Sequence, residues 1–410
     1  MHLYIHIPFC RRRCTYCGFC SSAGLEHRLD AYVRAVCAEL AALREDVRIQ
    51  TGRLSSSLDL RPTIFLGGGT PSLLSPAQVG AILQAASALV PLEQAEITLE
   101  ANPGTLMGPV GRSPCATSLA YFRSLRTLGV NRLSLGVQSL HDPTLRILGR
   151  LHTAAEARQC VDDASRAGFQ AINLDFIFGL PGQTCADWAT TLDTVAAWDI
   201  NHLSLYSLIL EEHTALFAQV MRGEVDLPDH DTTAAMYELA MERLAGAGFV
   251  HYELSNWARA SRGYLSPRWP SGEIEVPLPV CHHNVAYWLN VDYLGVGAGG
   301  HGHIYPERYA NLTDLDAYLA AVQQGRRPVE VVTPLSPSDL AAETMFMGLR
   351  LVEGVRFAHF RCRCGVEMEA VYGEVLRELE GLGLLERTTD AVRLTNRGRM
   401  LGNQVFASFL

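Results

Sequence analysis

Four of the chain's 11 cysteines fall within positions 10 to 20, in the run CRRRCTYCGFC. Cys10, Cys14 and Cys17 stand in the spacing C-x3-C-x2-C, directly after a short apolar run, so three thiolates share one tight loop. Three thiolates can hold three corners of a [4Fe–4S] cubane and leave the fourth iron open for another ligand. Tetrahedral zinc competes for the same residues, since Cys20 can supply a fourth sulfur. Cys37, Cys115, Cys160 and Cys185 are scattered and read as ordinary residues.

A second constellation is LGGGTPS, Leu66–Ser72, between an apolar run and a helical stretch. Its glycines admit positive φ and close backbone approach, and free N–H groups there can meet a carboxylate or phosphate. It lacks both GK[ST] and GxGxxG, so a plain tight turn is the competing reading. Polar residues then recur where strands should end: Glu100 closes ITLE, Gln138 closes RLSLGVQ, and Asp175 sits inside INLDFIFGLPGQ. Arg150 follows Gln138 closely and can pair with a ligand carboxylate. A third constellation, CHHNVAYWLN at Cys281–Asn290, packs His282, His283, Asn284, Tyr287 and Trp288 together. Imidazole on haem iron with aromatic rings against the macrocycle is one reading, and a satisfied histidine beside buried aromatics is the other.

These residues need a scaffold. Candidate strands Leu3–Ile7, Thr63–Leu66, Glu96–Glu100, Arg132–Val137, Ala171–Phe178 and His202–Leu208 alternate with helical stretches such as Leu29–Leu43, Pro76–Leu89 and Ala154–Ala167. Alternation of this kind predicts an α/β fold with a parallel sheet and right-handed crossovers. Six such units suggest a partial or full (β/α) barrel, with a doubly wound sheet as runner-up. A barrel gathers strand-end residues into one pocket at its C-terminal face. Residues 45–62 and 258–280 read as insertions. From about 335 the pattern changes to helices near Ser338–Leu351 and Val366–Leu382, a β-wing at Leu384–Thr395 and a last helix, which together predict a small winged-helix-like domain. The expected division is 1–325 for the barrel with an extension carrying the Cys281–Asn290 segment, and 335–410 for the second domain.

Composition narrows the function. At 410 residues with 48% hydrophobic content, two domains are expected. The net charge of −9 removes a global basic footprint for nucleic acid. Residues 337–410 hold nine arginines, no lysine and ten acidic residues, so no nucleic acid is expected there either. No apolar run reaches membrane-spanning length, and the N-terminus lacks a secretory pattern, so a cytoplasmic protein with reduced thiols is expected.

CRRRCTYC together with LGGGTPS resembles the radical SAM superfamily and, more narrowly, the oxygen-independent coproporphyrinogen III oxidase family. YIHIPFC, VQSL, LDFIFGLPGQT, YELSNWA and FMGLRLVEGV extend the likeness over nearly the whole chain. The resemblance favours a cluster over zinc. It implies Cys10, Cys14 and Cys17 as cluster ligands, with S-adenosylmethionine (SAM) chelating the open iron. Tyr4, Phe19, Gly68, Gly69, Thr70, Glu100, Gln138, Arg150 and Asp175 are the implied SAM-side residues. An electron donor such as flavodoxin would feed the reductive cleavage that the superfamily performs, giving methionine and a 5′-deoxyadenosyl radical. Within the family, the oxidase branch has C-x3-C-x2-C-x-C and an N-terminal extension. Phe19 occupies that fourth cysteine's place, Cys20 comes one residue late, and the first strand begins at Leu3. The haem chaperone branch, usually called HemW, carries phenylalanine there and an H-N-x-x-Y-W motif, which His283, Asn284, Tyr287 and Trp288 match. That branch implies haem as ligand and apo-haemoproteins as acceptors. The alternative is SAM-dependent decarboxylation of two propionates of coproporphyrinogen III to give protoporphyrinogen IX.

Overall fold

The computed structural model describes residues 1–45, 60–106, 117–259 and 279–410. Most of both predicted insertions, 45–62 and 258–280, and Cys115 lie outside them. Six parallel strands form the centre: β1 (His2–Ile7), β2 (Thr63–Gly68), β3 (Glu96–Ala101), β4 (Arg132–Gln138), β5 (Ala171–Phe178) and β6 (His202–Ser207). Their spatial order follows their sequence order. A doubly wound sheet reverses direction at a switch point; this one does not, so right-handed crossovers place the helices on one face. These helices include α1 (Leu29–Arg44), α2 (Pro76–Ala86), α3 (Ser118–Thr127), α4 (Ala154–Arg166), α5 (Cys185–Ala196) and α6 (His230–Gly246).

The sheet continues beyond the six strands that the sequence suggested. The short strands β7 (Val250–Glu253) and β8 (Asn256–Ala258) add antiparallel beyond β6, and β9 (Leu294–Val296) pairs parallel with β1. The nine-stranded sheet therefore ends in β9 on one side and β7 on the other, as an open rather than a closed barrel. Local chemistry fixes where helices start. Ser75 with Gln78 caps α2, Thr153 with Glu156 caps α4, and Thr184 with Asp187 caps α5, each as a reciprocal capping box.

Leu3, Ile5, Ile64, Leu66, Ile97, Leu99, Leu133, Leu135 and Leu174 are fully buried in one apolar core with the helices. Residues of opposite parity, Thr63, Thr98, Arg132, Ser134, Asn173, His202 and Ser204, are buried too, although polar. Period-2 alternation thus separates an apolar outer face from a polar barrel interior.

A second sheet, β10 (His301–Ile304), β11 (Glu307–Asn311) and β12 (Val329–Pro334), leads to the C-terminal part. There α8 (Pro337–Gly348), β13 (Val355–Arg356), α9 (Phe357–Cys364), α10 (Met368–Gly381) and the hairpin β14 (Leu385–Arg387) and β15 (Ala391–Leu394) have the winged-helix order. The predicted last helix is two short ones, Asn396–Met400 and Gly402–Ala407. Its separate core is built on Met345, Phe360, Leu376, Val392 and Val405. α10, the position of a recognition helix, carries Glu369, Glu374, Glu378 and Glu380 against Arg377, a charge that repels phosphate.

Candidate functional site

At the C-terminal ends of the strands lies a cavity of about 500 Å³. Cys10, Cys14, Cys17, Phe19, Gly68, Gly69, Thr70, Glu100, Gln138, Arg150 and Asp175 all line it. Residues distant in sequence converge because each strand ends at the same rim. Among the described residues, no three His, Cys, Asp or Glu side chains converge as a single ion requires. The three thiols line the same cavity.

Two donors address the sulfurs. Thr70 Oγ1 donates to Cys10 Sγ at 3.4 Å, and Arg150 Nη1 donates to Cys14 Sγ at 3.4 Å. Burial raises the Cys10 and Cys17 thiols above their ordinary value, and hydrogen bonds from Thr70 at Cys10 and from the Phe19 backbone at Cys17 oppose this. A metal that ligates them as thiolates overcomes the same cost. Arg150 also donates to the Gly136 carbonyl through Nη2, and its buried Nε has no partner.

The glycine loop is shaped by close approach. Gly68 has φ +108°, and a Cβ there would lie 2.5 Å from the His6 ring. A Cβ on Gly69 would lie 2.7 Å from the Phe9 carbonyl oxygen and 2.8 Å from that of Ile7. The loop therefore seats against the strand that leads into Cys10. Gly68 N–H donates to Glu100 Oε2 at 3.1 Å. Burial, reinforced by Asp175, pushes the Glu100 carboxyl up to about 8. Asp175 is also raised by burial, while Ser134 and Asn173 donate to it and oppose the rise. Two carboxyls ringed by protein at the base of the cavity suit a cationic or hydroxyl-rich ligand group. Gln138 holds φ +69° at the end of β4, beside a register irregularity, a strained conformation that aims it at the rim. These donors fit both a cluster and the amino-acid and ribose groups of SAM.

Tyr4 is the exception. It is not among the cavity-lining residues. Its hydroxyl lies 3.0 Å from His6 Nδ1, and its ring stacks on Phe65 and His283. Several lining residues were not anticipated: Tyr16, Ser134, Tyr206, Ile209 and Glu211. Ser134 and Tyr206 share the inward parity of β4 and β6, so alternation marks them in the sequence. Phe19 and Ile209 stand at the mouth, 69% and 71% exposed.

The third constellation forms a short helix, α7 (His282–Trp288), at the opposite end of the barrel. His283 is 1% exposed and fully engaged. Its Nδ1 lies 2.7 Å from Thr63 Oγ1, its Nε2 lies 2.9 Å from the Tyr287 hydroxyl, and its ring stacks on Phe65. Burial holds its pKa well below the ordinary value. His282 is also buried, and its Nε2 has no partner. Asn284, Tyr287 and Trp288 are half-buried, and the Arg350 guanidinium sits 4.4 Å over the Trp288 ring. A metal-binding role for His283 therefore requires one of its two hydrogen bonds to open, the Tyr287 bond where Nε2 is the ligand atom.

Known proteins are similar to this chain at both levels. Residues 4–195 match the radical SAM superfamily model, and residues 335–401 match the HemN C-terminal domain. The protein named heme chaperone HemW from Lactococcus lactis subsp. lactis is 35% identical over 99% of this chain and 96% of its own length. That of Bacillus subtilis is 33% identical over 99% and 98%. A zebrafish (Danio rerio) mitochondrial radical S-adenosyl methionine domain-containing protein 1 is 32% identical over 100% of this chain and 86% of its own. The solved coproporphyrinogen III oxidase HemN from Escherichia coli covers 99% of this chain and 89% of its own with a TM-score of 0.74, at 21% identity, a likeness of fold.

Proposed function

Since the chain belongs to the HemW family of radical SAM proteins, we propose that it is a haem chaperone, binding haem and a [4Fe–4S] cluster and passing haem to acceptor haemoproteins. The observation that carries this reading is likeness over the full length to proteins of that name. Phe19, standing open at the cavity mouth where the oxidase branch has a cysteine, agrees with it.

In this reading Cys10, Cys14 and Cys17 hold the cluster. Gly68, Gly69, Thr70, Glu100, Gln138, Arg150 and Asp175 surround SAM, Phe19 borders it, and Tyr4 acts through His6 rather than by touch. When bound, the cluster and SAM supply one-electron reduction and cleavage chemistry. The chain's own part is to hold the sulfurs, place two carboxyls beneath the ligand and limit access through one mouth. His283, Asn284, Tyr287 and Trp288 form the haem motif, with His283 released from Tyr287 on binding. Among the described residues no helix is long and apolar enough to cross a membrane. A cytoplasmic location, reduced thiols and an electron donor such as flavodoxin belong to the same proposal.

Anaerobically reconstituted protein is to be titrated with haem, mixed with an apo-haemoprotein, and assayed in parallel for coproporphyrinogen decarboxylation with SAM and a strong reductant. Haem binding and transfer without decarboxylation is the expected result. Turnover to protoporphyrinogen, with no haem transfer, would move the chain to the oxidase alternative.

A further inference from the structure

A line of buried polar side chains crosses the barrel interior from one end to the other. Asp175 lines the cavity. Asn173, two residues earlier on β5, donates from Nδ2 to Asp175 Oδ1 at 2.8 Å and to Ser134 Oγ at 2.8 Å. His202, its register partner on β6, has Nδ1 2.6 Å from Asn173 Oδ1. The other nitrogen, Nε2, lies 2.8 Å from the Tyr252 hydroxyl. That oxygen accepts the Cys281 N–H at 3.1 Å, at the residue that caps α7.

With Asp175 ionised, the direction of every bond is fixed. A carboxylate and an amide oxygen only accept, and a backbone N–H only donates. His202 must therefore carry its proton on Nδ1 and accept on Nε2, and the Tyr252 hydroxyl must donate to it. Burial keeps this imidazole neutral, as the single tautomer demands. All donors then point toward Asp175, and such a chain polarises cooperatively in a low-dielectric interior.

We propose that Asp175, Asn173, His202, Tyr252 and the Cys281 N–H couple the SAM cavity to α7, so that SAM and haem bind with linked affinities and His202 and Tyr252 act as positioning residues. The proposal rests on the reading of α7 as the haem motif. A ligand group that donates to Asp175 competes with Asn173 for its lone pairs and weakens each bond in turn. The tether on Cys281 slackens, and opening the His283–Tyr287 bond costs less. SAM therefore tightens haem binding, and haem must tighten SAM binding by the same factor.

The test is a haem titration of anaerobically reconstituted protein, followed by the Soret band, with and without saturating SAM. Wild type should show a haem Kd lowered roughly fivefold by SAM. Calorimetry of SAM with and without haem should return the same ratio. Tyr252→Phe should bind both ligands with the ratio reduced to near one. Tyr237→Phe, which removes a hydroxyl that donates to the Leu254 carbonyl at 2.7 Å and touches no member of the chain, should keep the wild-type ratio. His202→Gln replaces Tyr252→Phe if that variant folds poorly. Absence of haem binding in wild type would defeat the haem-motif reading itself. Binding of both ligands with no linkage, or linkage that survives Tyr252→Phe, would overturn the coupling and leave that reading standing.

Discussion

The two ends of the barrel are built on opposite plans. At the cavity end, polar groups are left open: thiols around a hollow, a buried guanidinium nitrogen without a partner, and two carboxyls raised by burial. At the α7 end His283 is closed on itself, with both nitrogens bonded, and Arg350 covers the Trp288 ring, while His282 Nε2 and Trp288 Nε1 stay without partners. Unsatisfied buried groups are costly, and they persist where a ligand completes them. On the proposed reading the cavity is prepared for its ligands, whereas His283 must first give up a contact of its own. Binding at the first end should depend on single atoms, and binding at the second on an opening equilibrium.

The sharpest contrast is expected from Cys14→Ala. Two remaining thiolates do not hold a cubane, so iron after reconstitution should fall from about four per chain to near none. A variant that retains full iron and sulfide would remove Cys14 from the ligand set. Gly69→Val comes next. Its Cβ meets the Phe9 and Ile7 carbonyls, so SAM affinity should drop more than about tenfold, with iron content falling as the strand into Cys10 shifts. Asp175→Asn, nearly isosteric, should weaken SAM about tenfold by calorimetry and leave iron intact.

At the closed end, His283→Ala should abolish the haem Soret band and lower the melting temperature, because a stacked and doubly bonded side chain is lost. His282→Ala should retain most haem binding. The reverse order would make the unpartnered His282 Nε2 the iron ligand. A subtler contrast is pH. The Glu100 carboxyl, raised from 4.5 to about 8, favours its protonated form in the fold. Its contribution to stability is complete below about 4.5 and is lost as pH rises through about 8. The ligand-free protein should therefore lose melting temperature between pH 5 and 8.5, and Glu100→Gln should flatten that slope. A cationic group bound beside Glu100 favours its ionised form, so SAM binding near pH 7 should release protons in calorimetry across buffers. The smallest effect belongs to Arg350→Met, which removes the cation over Trp288 and should cost about 1 kcal/mol in denaturant melts.

The open end was largely legible in the sequence and the closed end was not. Cysteine spacing, a glycine run and polar residues closing apolar strands each demand a local conformation, and the barrel rim unites them without further information. Tyr206 and Ser134 were legible in principle, since inward parity is a period of two. The engagement of His283 depends on Thr63, Glu96 and Phe65, more than 180 positions away, and no local pattern encodes such pairing. Strands of three or four residues, such as β7 to β9, carry too few positions for a period to show. The same is true of Tyr252, which meets His202 and Cys281 only after the sheet has formed.

The pairing of β1 sets a schedule for synthesis. One neighbour, β2, ends at Gly68, but the other, β9, begins at Leu294. A ribosome adding about 5–20 residues per second needs roughly ten to forty-five seconds to bridge that interval. Throughout it the first strand has a bare flank, and three thiols wait beside a half-built rim. On the proposed cluster reading, insertion of iron and sulfide follows the arrival of β9, and oxidants that reach the cysteines earlier compete with it.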